Sequence, residues 1–221
     1  MQDFERPPSL TSVVTEHIRN MIVSGELGLG TSISERGISS MLNVSKTPVR
    51  EALTRLMHEG LVTIVPQSGA RIFTLSAREV RDICTFRRII EFAALELAIE
   101  HDHEGLVKVL RRIVEGMQRA HAAGEIVEYL SLDTDFHMSF FDHCGNSYLK
   151  NSYSQYVGKI AALRTHLSSK PDHTRLSLKE HGEILDAVVQ KDIDSLKRLL
   201  DEHIGRTQKT YEIGVEDIAN S

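Results

Sequence analysis

Strand-forming sequence is confined to one short stretch of this chain. Two β-patterned runs, Leu61–Val65 and Ala70–Thr74, flank Pro66-Gln67-Ser68-Gly69, and that spacing predicts a hairpin. After Leu75 no strand signal returns, so the fold must set one small hairpin beside helices. Three helical patterns precede the hairpin. The first starts near Ser9 or Thr11, carries Val13, Val14, Ile18, Met21 and Ile22, and stops at Ser24-Gly25. The glycines at 25, 28 and 30 then break the chain. A second short helix is expected from Ser32 to about Leu42, with Ile38 and Met41 on its apolar side. The turn Asn43-Val44-Ser45 leads into a third, from Lys46 to about Glu59. Its residues Val49, Leu53 and Leu56 share one face, and Gly60 ends it. Three helices followed by a hairpin is the plan of a winged helix-turn-helix.

The remainder reads as helix throughout. Ser76-x-x-Glu79 is a capping box that opens a long helix with Ile83, Phe86, Ile90, Ala94 and Leu97 on one face. Further helices are expected at roughly 104–123, 125–143, 147–169, 174–190 and 193–212, with frayed residues beyond. The expected architecture is mainly α: a DNA-binding domain over 1–75 and an antiparallel bundle of about six helices over 76–221.

Charge has to be divided before it says anything. Residues 1–75 carry seven basic and seven acidic side chains, so the net charge of −5 resides in the rest of the chain. Phosphate binding needs a local basic face rather than a basic protein, so this balance is compatible with DNA. No apolar run is long enough to cross a bilayer, and MQDFERPPSL lacks the basic start and apolar stretch of a signal peptide. Cys84 and Cys144 form no CxxC pattern, and a reducing cytoplasm is the expected setting.

In a helix-turn-helix the first turn of the second helix enters the major groove. Polar and basic residues cluster there. Ser45 or Thr47 can cap the helix, while Lys46 and Arg50 lie one turn apart, opposite Val49 and Leu53. Arg36 starts the supporting helix and can reach the same groove. Arg suits a bidentate guanine contact; Lys46 is a less directional donor. Gly69 at the wing tip reads either as a close approach to phosphate or simply as a turn residue.

In the helical part, Asp133 and His137 stand at i and i+4 on one face. His181 and His203 are equidistant from Asp192, where the last two helices turn, so antiparallel pairing sets them level. Three imidazoles and a carboxylate suit a divalent ion such as zinc, nickel or manganese. Spacing alone leaves them equally readable as unrelated polar residues in a histidine-rich chain.

The run Val44-Ser-Lys-Thr-Pro-Val-Arg-Glu-Ala-Leu, with Leu56-x-x-Glu-Gly-Leu-Val and Gly69-Ala-Arg-Ile, resembles the GntR family of regulators. The resemblance implies that Arg36, Ser45, Lys46, Thr47, Arg50 and Gly69 contact operator DNA. Lys46 stands where Arg is usual, and Gly37 and Ser39-Ser40 weaken a helix that normally has better formers. Asp133-x-x-Phe136-His137, Gly145-Asn146-x-x-Leu149, Glu180-His181-x-x-Ile184-Leu185-x-Ala187 and His203 are similar to the FCD-type effector domain of the FadR subfamily. In its metal-containing members, Asp133, His137, His181 and His203 would be the ligands. The same resemblance points Arg87, of the pair Arg87 and Glu91, towards an anionic effector. Arg164 is a second candidate for that role. Asn146 joins the effector set by position, although a turn role after Gly145 competes. His173 and the remaining histidines read as surface or cap residues, and Cys144 as a buried thiol.

The implied function is a homodimeric regulator, a repressor, that reads a palindromic operator and answers to a carboxylate-bearing metabolite. A metal-dependent hydrolase is the alternative from another class. It leaves residues 9–75 without a role and lacks an unassigned general base. A regulator with a purely structural metal is a third reading.

Overall fold

Thr11, Val14, Thr15, Ile18, Met21 and Ile22 turn one buried face inward, and they define the first helix, α1 (Leu10–Val23). Ser9 caps it, its side chain accepting from the Ser12 amide. The computed structural model describes residues 7–65, 69–168 and 170–219. They divide into two units, Met1–Thr74 and Leu75–Ser221.

In the first unit, the second helix begins later than its pattern suggests. Ser32–Ile33 forms a short strand, β1, and Ser34 caps α2 (Glu35–Leu42) by accepting from the Gly37 amide at 2.9 Å. A two-residue strand carries no periodic signal, which is why it is silent in the sequence. Asn43 ends α2 in the left-handed region, and α3 (Lys46–His58) follows. The hairpin is β2 (Val62–Val65) and β3 (Gly69–Ile72); the expected turn residues 66–68 lie outside the described residues. The sheet order is β1-β3-β2, all antiparallel, with Ile33 opposite Ala70 and Val65 opposite Gly69. Gly69 is thus the first residue of β3 rather than a free tip. Its φ is +101°, and an added Cβ would meet the Ile33 carbonyl oxygen at 2.6 Å, so the approach of β1 to β3 requires glycine.

Ile18, Ile22, Ile38, Val49, Leu53, Leu56, Leu61 and Ile72 close the core of this unit. Two polar ties fix α1 against α3. Arg19 forks onto Glu59 with contacts of 2.9 and 2.7 Å, and Thr11 donates to Glu51 at 2.7 Å.

Among the described residues of the second unit, every regular element is a helix. α4 (Ala77–Ala123) opens with the expected capping box, Ser76 and Glu79 each accepting from the other's backbone amide. Asp102 interrupts it with φ −148° and ψ 61°. Its carboxylate accepts from the Gly105 amide at 3.1 Å and lies 2.6 Å from His143 Nδ1, so it restarts the helix as a cap. The two expected helices therefore form one kinked element. α5 (Ile126–His143) returns antiparallel, bringing His143 back to Asp102.

The single helix expected over 147–169 is two, α6 (Ser147–Ser154) and α7 (Val157–Ser168). Neither glycine nor proline occupies the break at Gln155-Tyr156, so the sequence offers no stop signal there. α8 (Pro171–Gln190) begins at a proline suited to the first helical turn. α9 (Ile193–Ala219) continues well past 212, where fraying was expected, because Tyr211 and Val215 are buried and anchor its last turns. Leu106, Leu110, Met117, Phe136, Phe140, Tyr153, Ile184 and Leu200 fill the bundle core. Cys84 and Cys144 are buried free thiols. Among the described residues, no helix is long and apolar enough to cross a membrane.

Candidate functional site

Two places concentrate chemistry, one on the surface of the first unit and one inside the second. On the first, Ser45, Lys46, Thr47 and Arg50 stand exposed at the start of α3, while Val49, Ala52 and Leu53 anchor its other face. Ser45 occupies the cap position, but its side chain makes no capping hydrogen bond. Its hydroxyl and the amides of the first turn are therefore open to an outside acceptor. Arg36 is exposed on α2. Arg50 is not a loose charge. Its Nε and Nη2 donate to the two carboxylate oxygens of Glu35, each at 2.8 Å, so the guanidinium is laid flat across α2 and α3. Glu35 went unremarked in the sequence; its spacing from Arg50 gives no periodic clue.

Inside the second unit, α5, α8 and α9 each contribute one buried imidazole. His137, His181 and His203 are at most 2% exposed, and one ring nitrogen from each lies within 4.8 Å of the others. His203 Nδ1 lies 2.6 Å from Glu180 Oε2. His137 Nδ1 lies 2.8 Å from Glu91 Oε2, off the straight hydrogen-bond line. A carboxylate on Nδ1 orients an imidazole and leaves Nε2 to bind a metal, so both contacts suit metal ligation. His137 Nε2 and both nitrogens of His181 are buried with no hydrogen-bond partner. Orphaned buried nitrogens of this kind call for a partner. Burial pushes the His137 pKa down to about 4 and lowers that of His181 well below the ordinary value, holding both rings neutral as ligation requires.

Asp133 is the least committed of the four expected ligands. Its oxygens stand 3.8 Å from His137 Nε2 and 3.8 Å from His181 Nε2, but Oδ1 also pairs with Arg164 Nε at 2.5 Å. Burial alone would raise its pKa; Arg164 and the imidazoles outweigh that and hold the carboxyl below its usual range. The residues fit a divalent ion: three convergent imidazoles, two supporting carboxylates and a fourth oxygen nearby.

A small space adjoins the cluster, lined among others by Arg87, Asp133, Arg164, His173 and His203. It has room for about one water. Arg87 is fully buried and donates Nε to Glu91 Oε1 at 2.7 Å. The surface pair that Arg87 and Glu91 resemble in sequence is thus an interior one, with Glu91 joining Arg87 to His137. Burial would raise the Glu91 pKa, but Arg87 and His137 outweigh it and keep the carboxylate ionised.

Asn146 does not line this space. Its side chain accepts from the Tyr148 and Leu149 amides at 3.0 and 3.2 Å, so it is the cap of α6, the turn role its position after Gly145 suggests. His173, expected at the surface, lines the space and contacts Arg206. Burial and Arg206 push its pKa down to about 4. Sequence reasoning missed Glu91 and Glu180 as supporting carboxylates. The signal for Glu180 was its place beside His181, on a helix antiparallel to that of His203.

Comparison with known proteins places both units. Residues 10–72 match the model of the gntR family of bacterial regulatory proteins, and residues 82–206 match the FCD domain. The gluconate operon transcriptional repressor of Bacillus subtilis is 30% identical over 187 residues, 81% of this chain and 75% of that one. The HTH-type transcriptional repressor RspR of Escherichia coli is 25% identical over 187 residues, 85% of this chain and 82% of that one. The solved structure of E. coli McbR/YncC superposes with a TM-score of 0.81 at 21% identity, covering 93% of this chain and 98% of that one, and shows the same fold. These families and relatives are regulators rather than enzymes, which sets the hydrolase alternative aside. A helix-turn-helix unit with its small sheet, followed by an FCD domain, makes this chain a transcriptional regulator belonging to the GntR family.

Proposed function

We propose that the chain is a repressor that acts as a homodimer on a palindromic operator and is controlled by a small carboxylate bound beside a divalent metal. Arg36, Ser45, Lys46, Thr47 and Arg50 would meet the DNA at the start of α3, with Gly69 supplying backbone on the wing. The exposure of all five side chains supports this. The bidentate hold of Glu35 on Arg50 presents the guanidinium as a flat fork, the shape that guanine's O6 and N7 accept.

The observation that carries the metal-dependent half is the convergence of three buried imidazoles with unpartnered nitrogens. His137, His181 and His203, with Asp133, would hold the ion, zinc before nickel or manganese for a nitrogen-rich donor set. Such an ion supplies a Lewis-acidic anchor for a carboxylate. Arg87 and Arg164 supply the fixed positive charge beside it. The ligand moves DNA affinity only as far as it prefers one arrangement of the dimer, about 1.4 kcal/mol for each tenfold of preference.

The small size of the adjoining space favours one competing reading, a metal that only ties α5, α8 and α9 together. Titrating carboxylates into metal-loaded and chelated protein separates the two. Binding that requires the metal supports the effector site; equal binding in both makes the ion structural. Elemental analysis of the purified chain comes first, and absence of stoichiometric metal after adding zinc, nickel and manganese in turn sinks the four-residue site.

A further inference from the structure

An acid stands beside the bases at the start of α3. Arg36, Lys46 and Arg50 are exposed, and among the described residues neither Arg36 nor Lys46 has an ion-pair partner. Glu35 lies in the first turn of α2, its side chain 29% exposed, and takes Nε and Nη2 of Arg50 at 2.8 Å each. The hydrogen bonds from Arg50, helped by the charges of Arg50 and Lys46, hold the Glu35 carboxyl below its usual range and keep it ionised. An ion pair this exposed contributes little to stability. Nor is it needed to hold α2 on α3, which already share the buried core of Ile38, Val49, Leu53 and Leu56. A negative charge beside a phosphate-binding surface weakens attraction to every DNA sequence alike. What the pair supplies in return is direction.

An arginine near DNA can fork onto guanine or settle on a phosphate, and only the first contact carries sequence information. Glu35 biases that choice in two ways. It covers the Nε–Nη2 edge of the guanidinium and leaves the Nη1–Nη2 end as the free fork, already ordered before DNA arrives. Its charge also stands beside any phosphate that approaches Arg50, and repels it. Guanine O6 and N7 are neutral acceptors and meet much less of that repulsion.

Resting on the DNA contacts proposed above, we propose that Glu35 is a specificity-determining positioning residue that keeps Arg50 for bases and off phosphates. It lowers affinity for DNA at large and so widens the gap between the operator and other sequences. Without Glu35, Arg50 is free to take a phosphate on any duplex.

The test uses the full-length chain and two duplexes of equal length: an operator selected from random sequence with the wild-type protein, and a mixed-sequence duplex. Fluorescence anisotropy gives the affinity for each across a salt series, for wild type, Glu35→Gln, Arg50→Ala and the double variant. Glu35→Gln should bind the mixed duplex at least about threefold more tightly. Its salt slope there should steepen by about 0.9 for each Arg50 released to a phosphate. The ratio of operator to mixed-sequence affinity should fall at least about tenfold. That loss should vanish when Glu35→Gln is made in Arg50→Ala, because Glu35 acts through Arg50. A Glu35 that only supports α2 would weaken both duplexes together and leave the ratio and the slopes unmoved. An unchanged ratio in Glu35→Gln, with operator preference lost in Arg50→Ala, overturns the role of Glu35 and leaves the recognition surface standing. A ratio that falls as far in the Arg50→Ala background as in wild type shows Glu35 acting without Arg50, and overturns the positioning role. Full operator preference in Arg50→Ala overturns the recognition surface itself, and the inference with it.

Discussion

The exposed face of α3 and the buried histidine cluster are built in opposite ways. The first is contiguous: Ser45, Lys46, Thr47 and Arg50 lie in six successive positions, and a hydrophobic face on the same helix holds them outward. The second is assembled from five elements, with Arg87 and Glu91 on α4, Asp133 and His137 on α5, Arg164 on α7, His181 on α8 and His203 on α9. A contiguous surface site tolerates losing one side chain without disturbing its neighbours. A dispersed interior site does not, because each group is another's hydrogen-bond or charge partner. Substitutions on α3 should therefore change DNA binding alone, whereas those in the cluster should change stability and metal binding together.

The largest expected effect is on α3. Arg50→Ala should remove a base contact from each half-site and cost on the order of 2–6 kcal/mol of operator affinity in a dimer, with metal content unchanged. Gel-shift titration against a selected operator, alongside elemental analysis, checks both halves; specific binding that survives would move the recognition surface elsewhere. Next comes the cluster. Chelation of zinc-loaded protein should lower stability by about 2.7 kcal/mol when the free ion had stood at a hundred times its Kd. His181→Ala should show no such chelation effect. A chelation effect that persists in that variant contradicts the ligand set.

Smaller effects sharpen the contrast. Gly69→Ala should destabilise the first unit by about 1–3 kcal/mol, since a Cβ there meets the Ile33 carbonyl at 2.6 Å in a left-handed backbone. Chemical denaturation with probes in each unit should place the loss in residues 1–74; an unchanged midpoint would remove β1 from the account. The smallest concerns the rim of the cluster. His173, with a folded pKa of about 4, binds fewer protons folded than unfolded. Its contribution is present above the unfolded value of about 6.5 and is lost as pH falls from there towards 4. In metal-free protein, His173→Gln should flatten the stability slope over that window, and an identical slope would contradict the burial of this ring.

The same contrast explains what the sequence reveals. The winged unit is legible because its signals are local: the apolar i, i+4, i+7 face of α3, the stop at Gly60 and the hairpin spacing. Its silent parts are β1, too short for a pattern, and the Glu35–Arg50 pair, which joins two helices. In the helical unit the four expected ligands come from spacing helped by resemblance, and the structure brings the three imidazoles together. Glu91 is less visible, because Arg followed four residues later by Glu looks the same on a surface and in a core. Asn146 is ambiguous for the same reason: a cap residue and a ligand-binding residue share a side chain, and the structure shows its cap role through the Tyr148 and Leu149 amides. The split of α6 from α7 leaves no mark, since tertiary packing overrides propensity there.

The most direct test of the account is operator affinity of the zinc-loaded chain with and without the best-binding carboxylate, repeated after chelation. We predict a shift of at least about tenfold that requires the metal. A shift of the same size in chelated protein, or none in either state, contradicts it.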